Sequence, residues 1–440
     1  MKQLLAVCDD YFVVGLHDRA FVTCIKKDSI VRELKPSSSQ DSGNQGNGSG
    51  DKNREIQAVA ITRDETSLSS LLCAISRIDK SLEIYRIDTD GNSTNDSNVE
   101  LTLSHSTNKR VGCLCFGTLP PTSTDEATTV DENSGEIRPK PSNLVIVAGD
   151  LAGDVYAYSL EYRQRHRLLL GHTASMITGV CVRRNLIFTS DRDEKIRISQ
   201  FPGTYVIDGF LLGHTAYVTA MDVVPENSPC TIRLIVSCGG DGTVRFWNAD
   251  SFQQLLEIKV GDACDEKSDQ GEENNRGLAQ LIPTSVAIDP CGRRVAVIFD
   301  NSARLEIYQI AFEKNGDKLS VNVSLQERLD CSSQPLSVKF QSSECLLVLL
   351  RDPEYCVAYE VREFGQPIVP QKVDGLCQLA SSANIVMPDT ILEKDAHGQP
   401  KLQKLKETRV ADVDAPWNRV ERVDIAKKRE KRAKKRRKER

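Results

Sequence analysis

Histidines, cysteines and glycine clusters are where chemistry would begin, and in this 440-residue chain none is spaced for catalysis. A serine or cysteine nucleophile needs a positioned histidine, and a zinc protease needs two histidines on one helical face. The six histidines form neither pattern. A nucleotide or methyl-donor site of the common kinds needs a glycine-rich loop opening a helix, where backbone N–H groups can face a phosphate. The glycine clusters lie instead in a low-complexity stretch, residues 43–50, and in a turn, residues 239–242. The fourteen cysteines are scattered singly, without C-x-x-C or a Cys/His cluster at zinc spacing. Cys113 and Cys115 share a face of one strand, as paired core thiols would. Reduced thiols in a cytosolic or nuclear protein fit this usage. An enzyme is not expected, nor a cofactor or metal.

The histidines fit a repeat instead. Leu170, Gly171, His172 and Thr173 return 42 residues later as Leu212, Gly213, His214 and Thr215. Each copy continues with an apolar run, a turn, a second apolar run and a short strand entered by an aspartate-led turn. The second copy closes on Ser237, Cys238, Gly239, Gly240, Asp241, Gly242, Thr243, Val244, Arg245, Phe246 and Trp247. A period of about 40–45 residues with Gly-His and a closing Trp is the signature of a WD40 blade. Such a four-stranded sheet cannot bury both faces alone and must stack beside others around an axis. In blades of this kind the histidine and the turn aspartate bond within the blade, and the tryptophan packs between sheets. His214, Asp241 and Trp247 match the whole pattern. In the preceding unit His172 and Asp193 match, with Ser199 in the tryptophan's place.

Length alone suggests about three domains, but the repeat argues for one propeller with appendages. Apolar residues at 39% suffice for a core. No run approaches the ~18 apolar residues of a membrane span, and the start lacks a signal pattern, so the chain reads as soluble and not secreted. The charge is unevenly spread. Residues 427–440 hold 11 basic and 2 acidic residues, a charge of +9; with −5 overall, the other 426 residues carry −14. An acidic propeller with a basic tail is the expectation.

In chain order, residues 4–8, 12–16 and 20–25 are β-like runs, followed by a polar loop at 36–53. Complete blade patterns follow from residues 56–87, then 111–159 with a polar insertion at 117–142. Such insertions add little closure entropy. After the two Gly-His units comes a third polar insertion, 261–276. Further patterns start at 284 and 336, and only a fragment follows, at 375–380 and 384–387. Joining that fragment to the N-terminal runs would remove an exposed strand edge. The fold expected is all-β: a seven-bladed WD40 β-propeller over residues 1–387, the last blade shared by both termini, with disordered loop insertions. Six blades plus an N-terminal hairpin is the alternative. Residues 388–440 form a tail, basic from 427, whose Lys427, Lys428, Arg429, Lys434, Lys435, Arg436 and Arg437 suit nuclear import or RNA phosphates. A nuclear location, with the cytoplasm as a second compartment, follows from it.

One stretch, TSDRDEKIRIS at residues 189–199, is richer in charge than a blade requires. Lys195 and Arg197 are two apart on a strand and point the same way, with Asp191, Arg192, Asp193 and Glu194 at its entrance. Mixed charge this dense suits a partner of complementary charge. Arg245 occupies the equivalent place in the next unit, so Arg197 could equally be a basic residue that blades commonly carry there.

The strings SDRDEKIRIS, LGHTAYVTAMDVVP and SCGGDGTVRFW resemble the WD-repeat, non-catalytic subunit of the eukaryotic tRNA (guanine-N7) methyltransferase, including its insect, Wuho-type members. The match is specific over residues 171–256 and looser elsewhere; Gly153, Asp154, Val155 and Tyr156 also fit. The resemblance implies a helper role: a catalytic partner carries S-adenosylmethionine, and the propeller stabilises it and helps position tRNA for N7-methylguanosine formation in the variable loop. It implies a heterodimer in which Arg197, with Lys195, Arg192 and Glu194 around it, faces the partner. Leu151 departs from the lysine expected of a related vertebrate sequence, so the resemblance does not extend to that part of the contact surface. A generic WD40 scaffold or substrate adaptor in a ubiquitin-ligase or chromatin complex is the alternative. A lone nucleic-acid binder acting through the tail is disfavoured by the acidic propeller.

Overall fold

The computed structural model describes residues 2–376 apart from 27–30, 36–53, 66, 90–98, 121–142, 161–165, 174, 226–227, 231, 261–280, 316–317, 352–353, 363–365, 367 and 374–375. The expected insertions at 36–53 and 261–276, most of that at 117–142, and the whole tail with its basic residues lie outside the described residues. Among those described, every named element is a strand, and no helix is long and apolar enough to cross a membrane.

Among the described residues, twenty-eight strands form seven four-stranded sheets. The blades span residues 5–34, 56–106, 111–171, 177–212, 218–259, 283–330 and 335–372, numbered 1 to 7 below. Every pairing between neighbouring strands of a blade is antiparallel, as short turns between successive strands require. The first strand of each blade lines a central cavity of about 440 Å³, reached by Gln3, Ile61, Leu114, Val180, Met221, Val286 and Ser337 among others. Between blades the sheets bury Val, Leu, Ile and Phe. Leu186, Phe188, Ile196 and Ile198 of blade 4, for example, pack with Val218, Ile235 and Trp247 of blade 5.

The expected sharing of a blade between the termini is corrected by this topology. Blade 1 completes itself with Val31–Leu34, and blade 7 with Val369–Lys372. Val31–Leu34, VREL, carries two charged residues and so gave no apolar signal, although Leu34 is fully buried. The ring closes by packing: Leu5, Phe12, Val14 and Phe21 of blade 1 share a core with Leu336, Leu347, Leu349 and Cys356 of blade 7. Gln3 fastens the same end of the chain to two further blades. Its backbone bridges blade 2, and its side chain donates to the Val59 and Leu114 carbonyls while accepting from Leu114 N–H.

Two blades without Gly-His carry a buried glutamate that an arginine and a tyrosine meet, with both ions of the pair buried in blade 2 and the arginine partly exposed in blade 6. The third strands of blades 2 and 6 both contain Leu-Glu-Ile-Tyr, at residues 82–85 and 305–308. Glu83 is met by Arg77 Nε at 2.9 Å and Tyr85 Oη at 3.0 Å. Glu306 is met by Arg328 Nε at 3.0 Å and Tyr308 Oη at 2.6 Å. Both glutamates are the third residue of their strand, the place Arg245 holds in blade 5.

Candidate functional site

Blade 5 contains the motif in full. Trp247 has only a donor, which fixes the direction of a hydrogen-bond chain. Trp247 Nε1–H donates to Ser237 Oγ at 2.8 Å, Ser237 Oγ lies 2.8 Å from His214 Nε2, and His214 Nδ1–H donates to Asp241 Oδ2 at 3.0 Å. Asp241 also accepts from Thr215 N–H, Thr243 N–H and Thr243 Oγ1. Burial alone would raise its pKa, but the hydrogen bond from His214, with these donors, holds its carboxyl well below the usual range. Gly213 is required by closeness: a Cβ there would come within 2.8 Å of Arg245 Nη1 and 2.9 Å of the Trp247 ring. These bonds all close within the blade and make the motif a folding device.

In blade 4 the aspartate assignment changes. His172 Nδ1 donates to Asp191 Oδ2 at 2.8 Å, not to Asp193, and its Nε2 lies 2.8 Å from Thr189 Oγ1. Asp191 stands two residues earlier in the turn than Asp241 does in its own, and also accepts from Lys195 N–H. Asp193 contributes its backbone N–H to Ser175 Oγ. The repeat register pointed to Asp193 because the two turns align there by sequence; without the Gly-Gly that precedes Asp241, the acid at the strand end reaches the histidine first. Asp191→Ala is expected to lower stability by about 1–3 kcal/mol, because it leaves buried donors unmatched. Asp193→Ala should cost less. Urea unfolding midpoints of the two variants check the order.

The four predicted partner-facing residues come together on the turn and third strand of blade 4. Glu194 takes the left-handed turn position, φ 76°, and Lys195 opens Lys195–Gln200 with its side chain exposed. Arg192 is half-buried; its Nε is enclosed and has no hydrogen-bond partner among the described residues. Leu151 is half-buried in the corresponding turn of blade 3. Arg197 is also half-buried, and its guanidinium spans two blades: Nε to Ser199 Oγ at 2.8 Å, Nη2 to the Thr204 carbonyl at 2.9 Å, and Nη1 to the Gly171 carbonyl at 3.4 Å. Ser199, in the tryptophan's place, therefore serves Arg197.

The comparison with Arg245 separates two meanings of the same position. Arg245 lies opposite Glu257 on the fourth strand and forms an ion pair with it at 2.8 Å, with Gln254 at 2.5 Å. Arg197 lies opposite Phe210, and among the described residues no carboxylate pairs with it. Burial pushes its pKa down with no acid to oppose the shift. Arg245 is a completed structural pair, and Arg197 is a half-buried cation held by neutral acceptors.

Residues 158–358, a little under half of the chain, match the family model of the tRNA methyltransferase TRM82 WD40 domain. The propeller is similar to that of the TRM82 family. The TRM82-type match runs from the end of the third strand of blade 3 into the third strand of blade 7, with the whole 189–199 cluster inside it. The tRNA (guanine-N(7)-)-methyltransferase non-catalytic subunit wuho of Culex quinquefasciatus is 30% identical over 290 residues, 63% of each chain. The human non-catalytic subunit WDR4 is 31% identical over 207 residues, 46% of each chain. The mouse WDR4 is 42% identical over 113 residues, 25% of this chain and 26% of that one. The chain thus spans less than two thirds of the length of these relatives. Among solved structures, a chain of the mitotic checkpoint complex aligns with TM-score 0.54 at 15% identity, covering 82% of this chain and 91% of that one. The Cps50 (Swd1) β-propeller domain of Myceliophteria thermophila aligns with TM-score 0.52 at 11% identity, covering 79% and 92%. At those identities the two structures speak for the propeller fold alone.

Proposed function

We propose that this chain is the non-catalytic subunit of a tRNA (guanine-N7) methyltransferase, docking a catalytic subunit at the blade 4 cluster and helping to position tRNA for methylation in the variable loop. The relatives bear that name, and one observation in this chain carries the docking role: Arg197 is charged, half-buried and without the in-blade acid that Arg245 has. A carboxylate from a partner would complete the pair. Lys195 and Arg192 add positive charge beside it, and Glu194 adds an acid that sets register. The basic run from Lys427 supports salt-dependent, sequence-independent contact with RNA and a nuclear location.

Co-expression with a catalytic methyltransferase subunit tests this reading, with copurification and N7-methylguanosine formation on tRNA as readouts. Wild type is expected to copurify and activate. Loss of a desolvated interfacial pair costs about 2–5 kcal/mol, so Arg197→Glu should weaken binding by about 30-fold or more. Because Arg197 also holds Ser199, Thr204 and Gly171, the exposed Lys195→Glu is tested beside it, with thermal melts of each free protein. A wild-type chain that neither binds nor activates the enzyme would overturn the reading and leave a generic scaffold.

A further inference from the structure

Where blades 4 and 5 meet at one end of their strands, a cavity of about 200 Å³ opens between two connecting segments. One is the turn at residues 184–185, which joins Ile177–Arg183 to Leu186–Asp191 in blade 4. The other joins Val218–Val223 to Leu234–Gly239 in blade 5. Arg183 and Arg184 line the cavity from the first, and Ser228 and Arg233 from the second. Register sets Arg183 opposite Leu186 and Ile177 opposite Asp191. This end of blade 4 is therefore about 20 Å from the turn that carries Arg192 and Glu194, by the rise of an extended strand. The cavity is separate from the cluster assigned to the catalytic partner.

Its lining is positive in a chain that is otherwise acidic. Among the described residues around it stand three guanidinium groups and one carboxylate, Asp250, although the chain outside residues 427–440 carries −14. The carboxylate is engaged by one of the three: Arg233 Nη1 meets Asp250 Oδ1 at 3.2 Å, and the Arg233 N–H donates to Oδ2 at 3.2 Å. Arg183 Nη1 donates to the Val182 carbonyl at 3.1 Å, a neutral acceptor. Ser228 Oγ accepts from Cys230 N–H at 3.1 Å, and its hydroxyl can donate in turn. Val224 and Ile232 give the cavity an apolar wall. Arg184 is exposed and holds φ 50°, a conformation that glycine and asparagine adopt more readily than a long side chain does. The turn alone does not ask for arginine there, and such an outlier beside a cavity points to a use for its charge.

We propose that this cavity binds the phosphate group of a nucleotide, either free or as one unit of an RNA strand. A guanidinium fork matches phosphate oxygens two at a time, and phosphate has enough acceptor oxygens to engage several forks and a hydroxyl together. The wall of Val224 and Ile232 receives the carbon body that the phosphate esterifies. Asp250 opposes the anion by holding Arg233. The site as such stands apart from the function proposed above, and only its RNA form rests on that reading.

The test titrates the full chain with adenosine monophosphate, followed by phosphorus NMR at constant ionic strength, with adenosine as the probe that lacks the phosphate. Wild type is expected to bind the first saturably and not the second. Arg184→Asn removes a guanidinium and puts a better-suited residue in the turn, so the protein should melt as wild type does while affinity falls by about fivefold or more. Asp250→Asn removes the opposing charge and keeps an oxygen for the Arg233 N–H, so affinity should rise by about twofold or more. Binding of tRNA by the chain together with its catalytic subunit then separates the two sources. Weaker tRNA binding by Arg184→Asn assigns the phosphate to an RNA strand; tRNA binding equal to wild type, with the nucleotide lost, assigns it to a free nucleotide. No saturable binding of adenosine monophosphate, or binding that neither substitution alters, overturns the site. Either of those results leaves the methyltransferase reading standing wherever the wild type still copurifies with the catalytic subunit and activates it.

Discussion

Trp247→Ala lowers the unfolding free energy by about 3–5 kcal/mol, the range for removing a buried aromatic residue from a core. Trp247 is 1% exposed and packs across the boundary between blades 4 and 5, so its loss opens a cavity between two sheets at once. It also ends the hydrogen-bond chain through Ser237 and His214 to Asp241, leaving Ser237 Oγ without its buried donor. Trp247→Phe should fall well below that range, since a ring still fills most of the space. Guanidinium unfolding of the three proteins checks the ordering; an alanine variant within 1 kcal/mol of wild type would show that the two sheets can close over the gap.

Arg77→Leu is the second large effect expected, at about 3–5 kcal/mol, the cost of leaving one member of a buried ion pair alone. Arg77 and Glu83 are both essentially inaccessible, and Arg77 also donates through Nη1 to the carbonyls of Asp18 and Arg54, tying blade 2 to blade 1. The double variant Arg77→Leu with Glu83→Leu should recover much of the loss, because desolvating two charges offsets most of what their attraction contributes. A double variant less stable than Arg77→Leu alone would mean that the backbone contacts, and not the charge pair, carry the effect. Chemical unfolding of all four proteins of the cycle separates the two.

These two residues mark how far the sequence could be read. Trp247 was visible because Gly-His, Gly-Asp-Gly and Trp stand in one register, and each of those residue types has a geometric reason to be there. Arg77 was not. The Leu-Glu-Ile-Tyr string of blades 2 and 6 repeats as plainly as Gly-His, but a glutamate on a strand resembles a solvated charge until the arginine of a neighbouring strand is found beside it. The outer strands were hidden for a related reason. They bury one face weakly or mix charge with apolar residues, so their period-2 signal is faint, and without Val31–Leu34 the first blade looked like a fragment needing strands from elsewhere. At the candidate site the cluster of residues 192–197 was legible as charge, while the meaning of Arg197 depended on its neighbour across the ladder. Phe210 in place of a glutamate is visible only once register is known.

Because each blade is one uninterrupted stretch of chain, assembly can follow the order of synthesis. A blade has all four of its strands as soon as its last one leaves the ribosome, and every new sheet finds the face of the preceding one already formed. The final event is different in kind: blade 7 must meet blade 1 along a seam of apolar packing, and among the described residues no strand is exchanged to lock it. Leu336, Leu347 and Leu349 against Leu5, Phe12 and Phe21 are therefore the latch of the ring. A force applied at the two ends of the propeller would part it there first, and a circular permutant opened between two other blades would move that latch without breaking a single sheet.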